Sequence, residues 1–321
     1  MRVGVLDGRV SNSLVAKAWS RQAAWSGLAR GLQLQGHEID EVDVFSWGSG
    51  VPLPGRGMRA TMDDPFGAFP KWWQALHAEG HHWHEQLPFS PTLGEGHAEA
   101  PIIIRMLEIV RQFAKAERSA VPWLWLPVLL HRAGLTSTPL PCLTAGDKAF
   151  RLGTRDASAV LARLLRTIDT AAAHGLKLLD RIEEDRTRAI VAASTLRRPS
   201  PILRLSAYLL HTPVVSPERL AKDLSLTLSG AGKLLDRAAQ LGLVREVSGR
   251  RSWRIYASPA VAIALGLIAA PRGRPSHPGK PKGSPRAVDD IVATFDQEMA
   301  AFNARFPHLS VPTMEDPSGG D

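Results

Sequence analysis

The 321-residue chain contains a single cysteine, Cys142. That excludes an internal disulfide framework and fits a reducing compartment. The N-terminus lacks the charged-then-apolar pattern of a secretory signal. Long apolar runs are also missing. VPWLWLPVLL (121–130) and PAVAIALGLIAA (259–270) both fall short of the roughly 18 residues that a membrane span needs. Strand-like alternation is nearly absent before residue 240, and no internal repeat is visible. What remains is a globular, mainly α, cytoplasmic chain with no membrane partner, in which 44 % of the residues are apolar.

Catalytic patterns are equally scarce. GSGVPLPGRG (48–57) is glycine-rich but lacks the preceding strand, the following helix and the Lys-Ser/Thr of a phosphate loop. Cys142 has no general base beside it in sequence. HAEGHHWHEQ (77–86) gathers His77, His81, His82 and His84 with Glu79 and Glu85. His77 and His81 stand four apart, a metal-ligand spacing on a helix. Yet there is no His-Glu-x-x-His, and Gly80 weakens the helix, so a solvated or tryptophan-packed cluster is the plainer reading. Neither an enzyme nor a cofactor is expected. The nine tryptophans read most simply as core and groove residues.

Charge is present, and unevenly. The formal net charge is +8, but residues 197–286 hold 16 Lys/Arg against four Asp/Glu, leaving the rest of the chain at −4. A surplus of +12 in one segment points to a polyanionic partner bound through phosphates and counterion release.

The first two thirds read as a helical domain, 1–195. In SNSLVAKAWSRQAAWSGLARGLQLQG, residues Leu14, Ala18, Trp25, Leu28 and Leu32 recur at helical spacing, with Ser11 or Ser13 as N-cap and Gly36 as stop. EIDEVDVFSWG follows as a short helix or strand, and 49–70 reads as a loop. Helices are expected around 71–86 and 101–118, the second with Ile103, Leu107, Val110 and Phe113 on one stripe. A Pro- and Leu-rich connection then leads to the long run 155–194, whose apolar face is Leu161, Leu164, Leu165, Ile168, Leu179 and Ile182. His174-Gly175 is a possible break in it.

LRRPSP (196–201) marks a domain boundary, and the segment after it carries the strongest signal. PILRLSAYLLHTPVV reads as a helix with Ile202, Leu205 and Leu209 inward. SPERLAKDL starts another, with Ser216 as N-cap, Pro217 in the first turn and Glu218 at the positive end of the dipole. After the turn SLT (225–227), Thr227 caps a helix over 228–241 that Gly242 stops. Two short helices joined this way form a helix-turn-helix, whose second helix enters the DNA major groove. LVREV and SWRIYA then alternate around SGRR (248–251), a hairpin with arginines at its tip. Over 197–270 this is a winged helix-turn-helix. With Ala231, Leu235, Ala238 and Leu241 inward, Leu228, Ser229, Gly230, Lys233, Asp236 and Arg237 face out. Ser229 and Lys233 are the base-edge candidates, Arg237 is placed for phosphate, and the cap Thr227 is counted with them as a DNA contact. Arg250, Arg251 and Arg254 serve the wing.

LAKDLSLTLSGAGKLLDRAAQLGLVREVSGRRSWRIYA resembles the winged-helix domains of bacterial regulators and of the C-terminal tails of Fic-type proteins. The shared frame is Leu220-Ala221, Thr227 and Leu241-Gly242-Leu243-Val244. The Fic catalytic motif is absent, so no nucleotidyl transfer is implied. Residues 6–48, 140–151 and 164–189 resemble an uncharacterised, mainly rhizobial family in which a helical domain of unknown function precedes a helix-turn-helix. That resemblance implies DNA binding and nothing finer. Its members often begin further upstream, which would make Met1 a late start.

PRGRPSHPGKPKG opens a basic Pro/Gly-rich linker, 271–286. Its Arg272-Gly273-Arg274-Pro275 resembles the core of an AT-hook, in which two arginines lie along a narrow minor groove. A flexible tether is the plainer alternative. Residues 287–308 read as an amphipathic helix, either packed on the parent body or forming a homodimer seam, and 309–321 as a disordered tail. The resulting expectation is a double-stranded DNA-binding regulator at the nucleoid. The alternative is an enzyme or ligand sensor with a pocket in 1–195 and a regulatory winged helix.

Overall fold

The computed structural model describes residues 2–53, 64–78, 82, 85, 87–89, 99–146, 157–250 and 253–270, together with 297 and 301. The expected linker, all but two residues of the C-terminal helix, and the tail lie outside these. The fold is mainly α. Among the described residues, seven α-helices build the first part: α1 (Arg2–Ser11), α2 (Ala16–Gln35), α3 (Glu41–Ser49), α4 (Phe69–Leu76), α5 (Ile102–Ala116), α6 (Val121–Arg132) and α7 (Ala157–Ser194). The second part runs α8 (Ser200–His211), β1 (Val214–Val215), α9 (Pro217–Asp223), α10 (Leu228–Gln240), β2 (Arg245–Glu246), β3 (Tyr256–Ala257) and α11 (Pro259–Ala264).

α2 is the buried centre of the first part. Trp19, Ala23, Ala24, Trp25 and Leu28 are all sealed from solvent, so apolar residues occupy most of its circumference. Gly36 ends it at φ 98°, a left-handed conformation natural to glycine. Neither candidate serine caps its start. Ser11 is the last residue of α1, and the Ser13 hydroxyl donates to Glu183 instead. Leu14 precedes the first helical residue, so it falls outside the periodic stripe and is 66 % exposed. The EIDEVDVFSWG segment resolves to helix, because Asp40 and Asp43 form a reciprocal capping box at 3.1 Å each way.

The connection expected at 121–130 is in fact helical. Pro122 sits in the first turn of α6, where its missing N–H costs nothing, and Pro127 is accommodated inside. Every residue from Pro122 to Leu130 is buried, so no polar face exists to give the helix a period. In α5, Leu107 and Val110 are buried, while Ile103 and Phe113 are half-buried at the edge of the stripe. α4 ends at Leu76, well short of the expected residue 86.

α7 does not break at His174-Gly175. Gly175 is there for close approach. A Cβ on it would lie 2.8 Å from the Cys142 sulfur and 2.9 Å from a Leu6 methyl. The Trp19 indole N–H donates to the Gly175 carbonyl at 2.9 Å. Further along, β1 interrupts what reads as one helix up to residue 215. Pro213 cannot continue α8, and the β-branched Val214 and Val215 pair with β3.

The second part forms a three-stranded antiparallel sheet in the order β1-β3-β2. Tyr256 faces both Val215 and Glu246 in register. The gap between α7 and α8 coincides with the boundary drawn at 195/197, yet packing crosses it. Leu210, Val214, Ile255, Val261 and Ala262 belong to the large core of the first part. Ala189 of α7 belongs to the smaller core of the second. Gln22 of α2, itself buried, donates its amide N–H to the Leu210 carbonyl at 2.7 Å.

Two glycine substitutions separate helix propensity from packing. Gly8, mid-helix in α1, has nothing within 4 Å of a built Cβ, so Gly8→Ala is expected to stabilise by about 0.5–1 kcal/mol. Gly175→Ala gains the same propensity but overpacks a full core, and a net loss of about 1–2 kcal/mol is expected. Chemical denaturation of the two variants beside the parent checks both signs.

Candidate nucleic-acid interface

The second core is small. Leu220 and Leu224 of α9 meet Ala231, Leu235 and Ala238 of α10 over Leu205, Tyr208 and Tyr256. The Ser216 hydroxyl accepts the Arg219 N–H at 3.1 Å, and the Thr227 hydroxyl accepts the Gly230 N–H at 3.0 Å. Both caps expected from sequence are therefore in place. Between the helices, Ser225 takes φ +53° and the Leu226 N–H reaches back to the Ala221 carbonyl. Gly242 closes α10 at φ +72°.

Two carboxylates orient this unit. Asp223, buried, accepts the Tyr208 hydroxyl at 2.8 Å and the Arg219 Nε at 2.7 Å, which joins α8 to α9. Asp223 and burial together push the Tyr208 phenol well above its ordinary range, burial first. Asp236 of α10 accepts both Arg254 Nη atoms, at 2.7 and 3.2 Å, and the Tyr256 hydroxyl at 2.8 Å. The hydrogen bond from Arg254, then that from Tyr256, holds the Asp236 carboxyl below its usual range. The Arg254 guanidinium also lies 5.5 Å over the Tyr256 ring. The β2–β3 hairpin is thus clamped to α10.

Thr227, Ser229, Lys233 and Arg237 are all exposed on α10 or at its cap. Ser229, Lys233 and Arg237 follow one another at four-residue intervals, about 6 Å of rise each. Arg237 makes one long contact to Gln240 at 3.4 Å. Arg250 is exposed between β2 and β3. Arg254 is partly exposed, and its guanidinium is also paired with Asp236, so it braces the hairpin against α10. Asp236 is occupied for the same reason, and Leu241 is only half-buried, at the end of the helix. Arg251, Arg272 and Arg274 lie outside the described residues.

Trp253 runs against the reading of tryptophans as core. It is 77 % exposed at φ +60° near the wing tip. Leu228, at the N-terminal end of α10, is 62 % exposed. A tryptophan flanked by Arg251 and Arg254 was the available signal for the first. The turn after β2 is held by Glu246, which accepts the Ser248 N–H at 2.8 Å, the Gly249 N–H at 3.1 Å and the Ser248 hydroxyl.

Elsewhere the expected alternatives can be placed. The His77 ring lies 4.3 Å from that of Trp73, with Nδ1 2.8 Å from the Trp73 carbonyl, and burial lowers its pKa. Among the described residues no group of three His, Cys, Asp or Glu could hold a metal ion; His81 and His84 lie outside them. Cys142 is buried, and loss of solvent pushes its thiol up to about 12. No described helix is long and apolar enough to cross a membrane. Compared with known proteins, the chain matches no family model and no curated relative.

The Asp236–Arg254 clamp is testable. A double-mutant cycle with Asp236→Asn and Arg254→Gln should give a coupling of about 0.5–1 kcal/mol, modest because both side chains are partly exposed. Since the folded-state pKa of Asp236 is depressed, this coupling is present above the unfolded carboxyl value of about 3.9 and fades as pH falls through the lower folded value. Urea titrations of the four proteins at pH 7 and pH 3 measure both.

Proposed function

We propose that the chain is a non-catalytic, double-stranded DNA-binding regulator acting at the nucleoid, and that 197–270 is its winged helix-turn-helix. One observation carries this reading. A capped helix, α10, presents Ser229, Lys233 and Arg237 in a single exposed row, inside a segment whose net charge is +12. The order helix, strand, helix, turn, helix, hairpin supports it, since this is the arrangement in which the second helix of the motif is presented to a major groove. On this reading Ser229 and Lys233 meet base edges, while Arg237 and the wing's Arg250 and Arg251 bind phosphates. Arg272 and Arg274 extend the footprint as a minor-groove arm.

Mobility shift with the full chain tests the proposal, because the second part shares its core with the first. Retention of mixed-sequence duplex at 50 mM salt, falling steeply by 200 mM, is expected. Lys233→Ala with Arg237→Ala should weaken binding by at least about tenfold and reduce the salt slope by about two, leaving the unfolding midpoint unchanged. Absence of salt-sensitive binding at low ionic strength rejects the reading.

The linker is tested separately. Arg272→Ala with Arg274→Ala should cost most affinity on sites with A·T-rich flanks. Equal loss on G·C-rich flanks would make the pair an electrostatic tether.

A further inference from the structure

A cleft of about 270 Å³ opens between α2, α3, α7 and α11. It joins a second of about 290 Å³, the two sharing Ser26, Arg30, Glu41, Ala264 and Leu265. Their size is near the lower end for small-molecule sites. One wall is apolar, formed by Ala23, Phe45, Leu178, Val261 and Leu265. The other is cationic. His174, Lys177 and Arg181 line one stripe of α7, and Arg30 faces them from α2. Like charges at such spacing repel, yet Arg30, Lys177 and Arg181 form no ion pair among the described residues. Loss of solvent, then Arg30 and Lys177, lower the His174 pKa, while Glu41 opposes them, so the positive field dominates at the imidazole. Of the other nearby carboxylates, Asp40 in the second lobe is engaged in the α3 capping box.

A second, independent feature marks the same cleft. Gln22 lines it and is 2 % exposed. Its amide nitrogen holds the Leu210 carbonyl, and its buried Oε1 has no donor. An acceptor left unsatisfied in this way is destabilising until a donor reaches it.

We infer that this cleft binds a small organic anion carrying a hydroxyl or amine, with the acid group against Arg30, Lys177 and Arg181 and the donor directed to Gln22. The ligand also regulates DNA binding, a clause that rests on the function proposed above. Two of the contacts to the second part run through this site: Val261, Ala264 and Leu265 belong to α11 and the turn after it, and Gln22 bonds the end of α8. An anion drawing α7 and α2 together would therefore press on the segments that hold the sheet.

Thermal unfolding of the full chain tests the site, with malate, glucose 6-phosphate and inorganic phosphate compared with sodium chloride at equal ionic strength. Malate or glucose 6-phosphate at about ten times its Kd should raise Tm by about 2–4 °C beyond chloride. Which of them does so separates a carboxylate ligand from a phosphorylated one. The rise should vanish in Lys177→Gln with Arg181→Gln. It should vanish also in Ala264→Phe, which fills the apolar wall and leaves every charge in place. No rise with any of the three, or a rise that survives in both variants, overturns the site. For regulation, the effective probe should change the apparent DNA Kd at least threefold in the parent and not in Ala264→Phe. A Tm response with unchanged DNA affinity overturns the regulatory clause alone. A chain that binds no DNA refutes the proposed function, while the thermal data still decide the cleft.

Discussion

Everything in this structure hangs on the continuity of α7. Over 38 residues it supplies Ile168, Ala171, Leu179 and Ile182 to one core and Ala189 to the other. A rigid helix shared by two cores fixes their separation and orientation, as a flexible linker cannot. Continuity in turn requires Gly175. Trp19, Cys142 and Leu6 crowd that point so closely that any side chain there would have to push one of them away. The residue that most resembles a helix breaker is the one that allows the helix to pass unbroken through a tight contact of the first core.

The second constraint is electrostatic. The basic segment holds four acids, and each has an internal task. Glu218 sits in the first turn of α9, Asp223 ties α8 to α9, Asp236 clamps the β2–β3 hairpin to α10, and Glu246 shapes the turn after β2. The negative charge is thus spent on holding the unit together. The cations Lys233, Arg237, Arg245 and Arg250 remain on the outside. The segment's surplus positive charge and its internal rigidity have the same origin.

How much of this could be seen in the sequence depends on the range of each interaction. The caps Ser216 and Thr227 and the stops Gly36 and Gly242 were legible because a cap is decided within a few residues. The mainly α class and the inward faces of α8 and α10 followed from periodicity. α6 was hidden because a helix buried on every side has no period, and its prolines argued against it. β1 was hidden because two residues are too few for alternation. The Arg254 ion pair was hidden because its partner, Asp236, lies on another element 18 residues away. The cleft was out of reach altogether, since Arg30 and Lys177 meet only through the packing of α2 on α7.

α10 carries one further physical clue. Glycine inside a helix costs about 1 kcal/mol relative to alanine. At Gly230 there is a local reason, because a Cβ would lie 3.0 Å from the capping Thr227 hydroxyl. At Gly232 there is none, since nothing lies within 4 Å of a built Cβ. The fold therefore accepts a weaker helix beside the Ser229–Lys233 row without gaining any packing inside the chain. On the DNA-binding reading, the missing side chain lets the α10 backbone approach a groove wall or phosphate more closely than alanine would. On the same reading, a surface with only Ser229 and Lys233 for base edges would discriminate chiefly through the shape and deformability of its site. The exposed Leu228 and Trp253 add apolar contact that is equally tolerant of sequence.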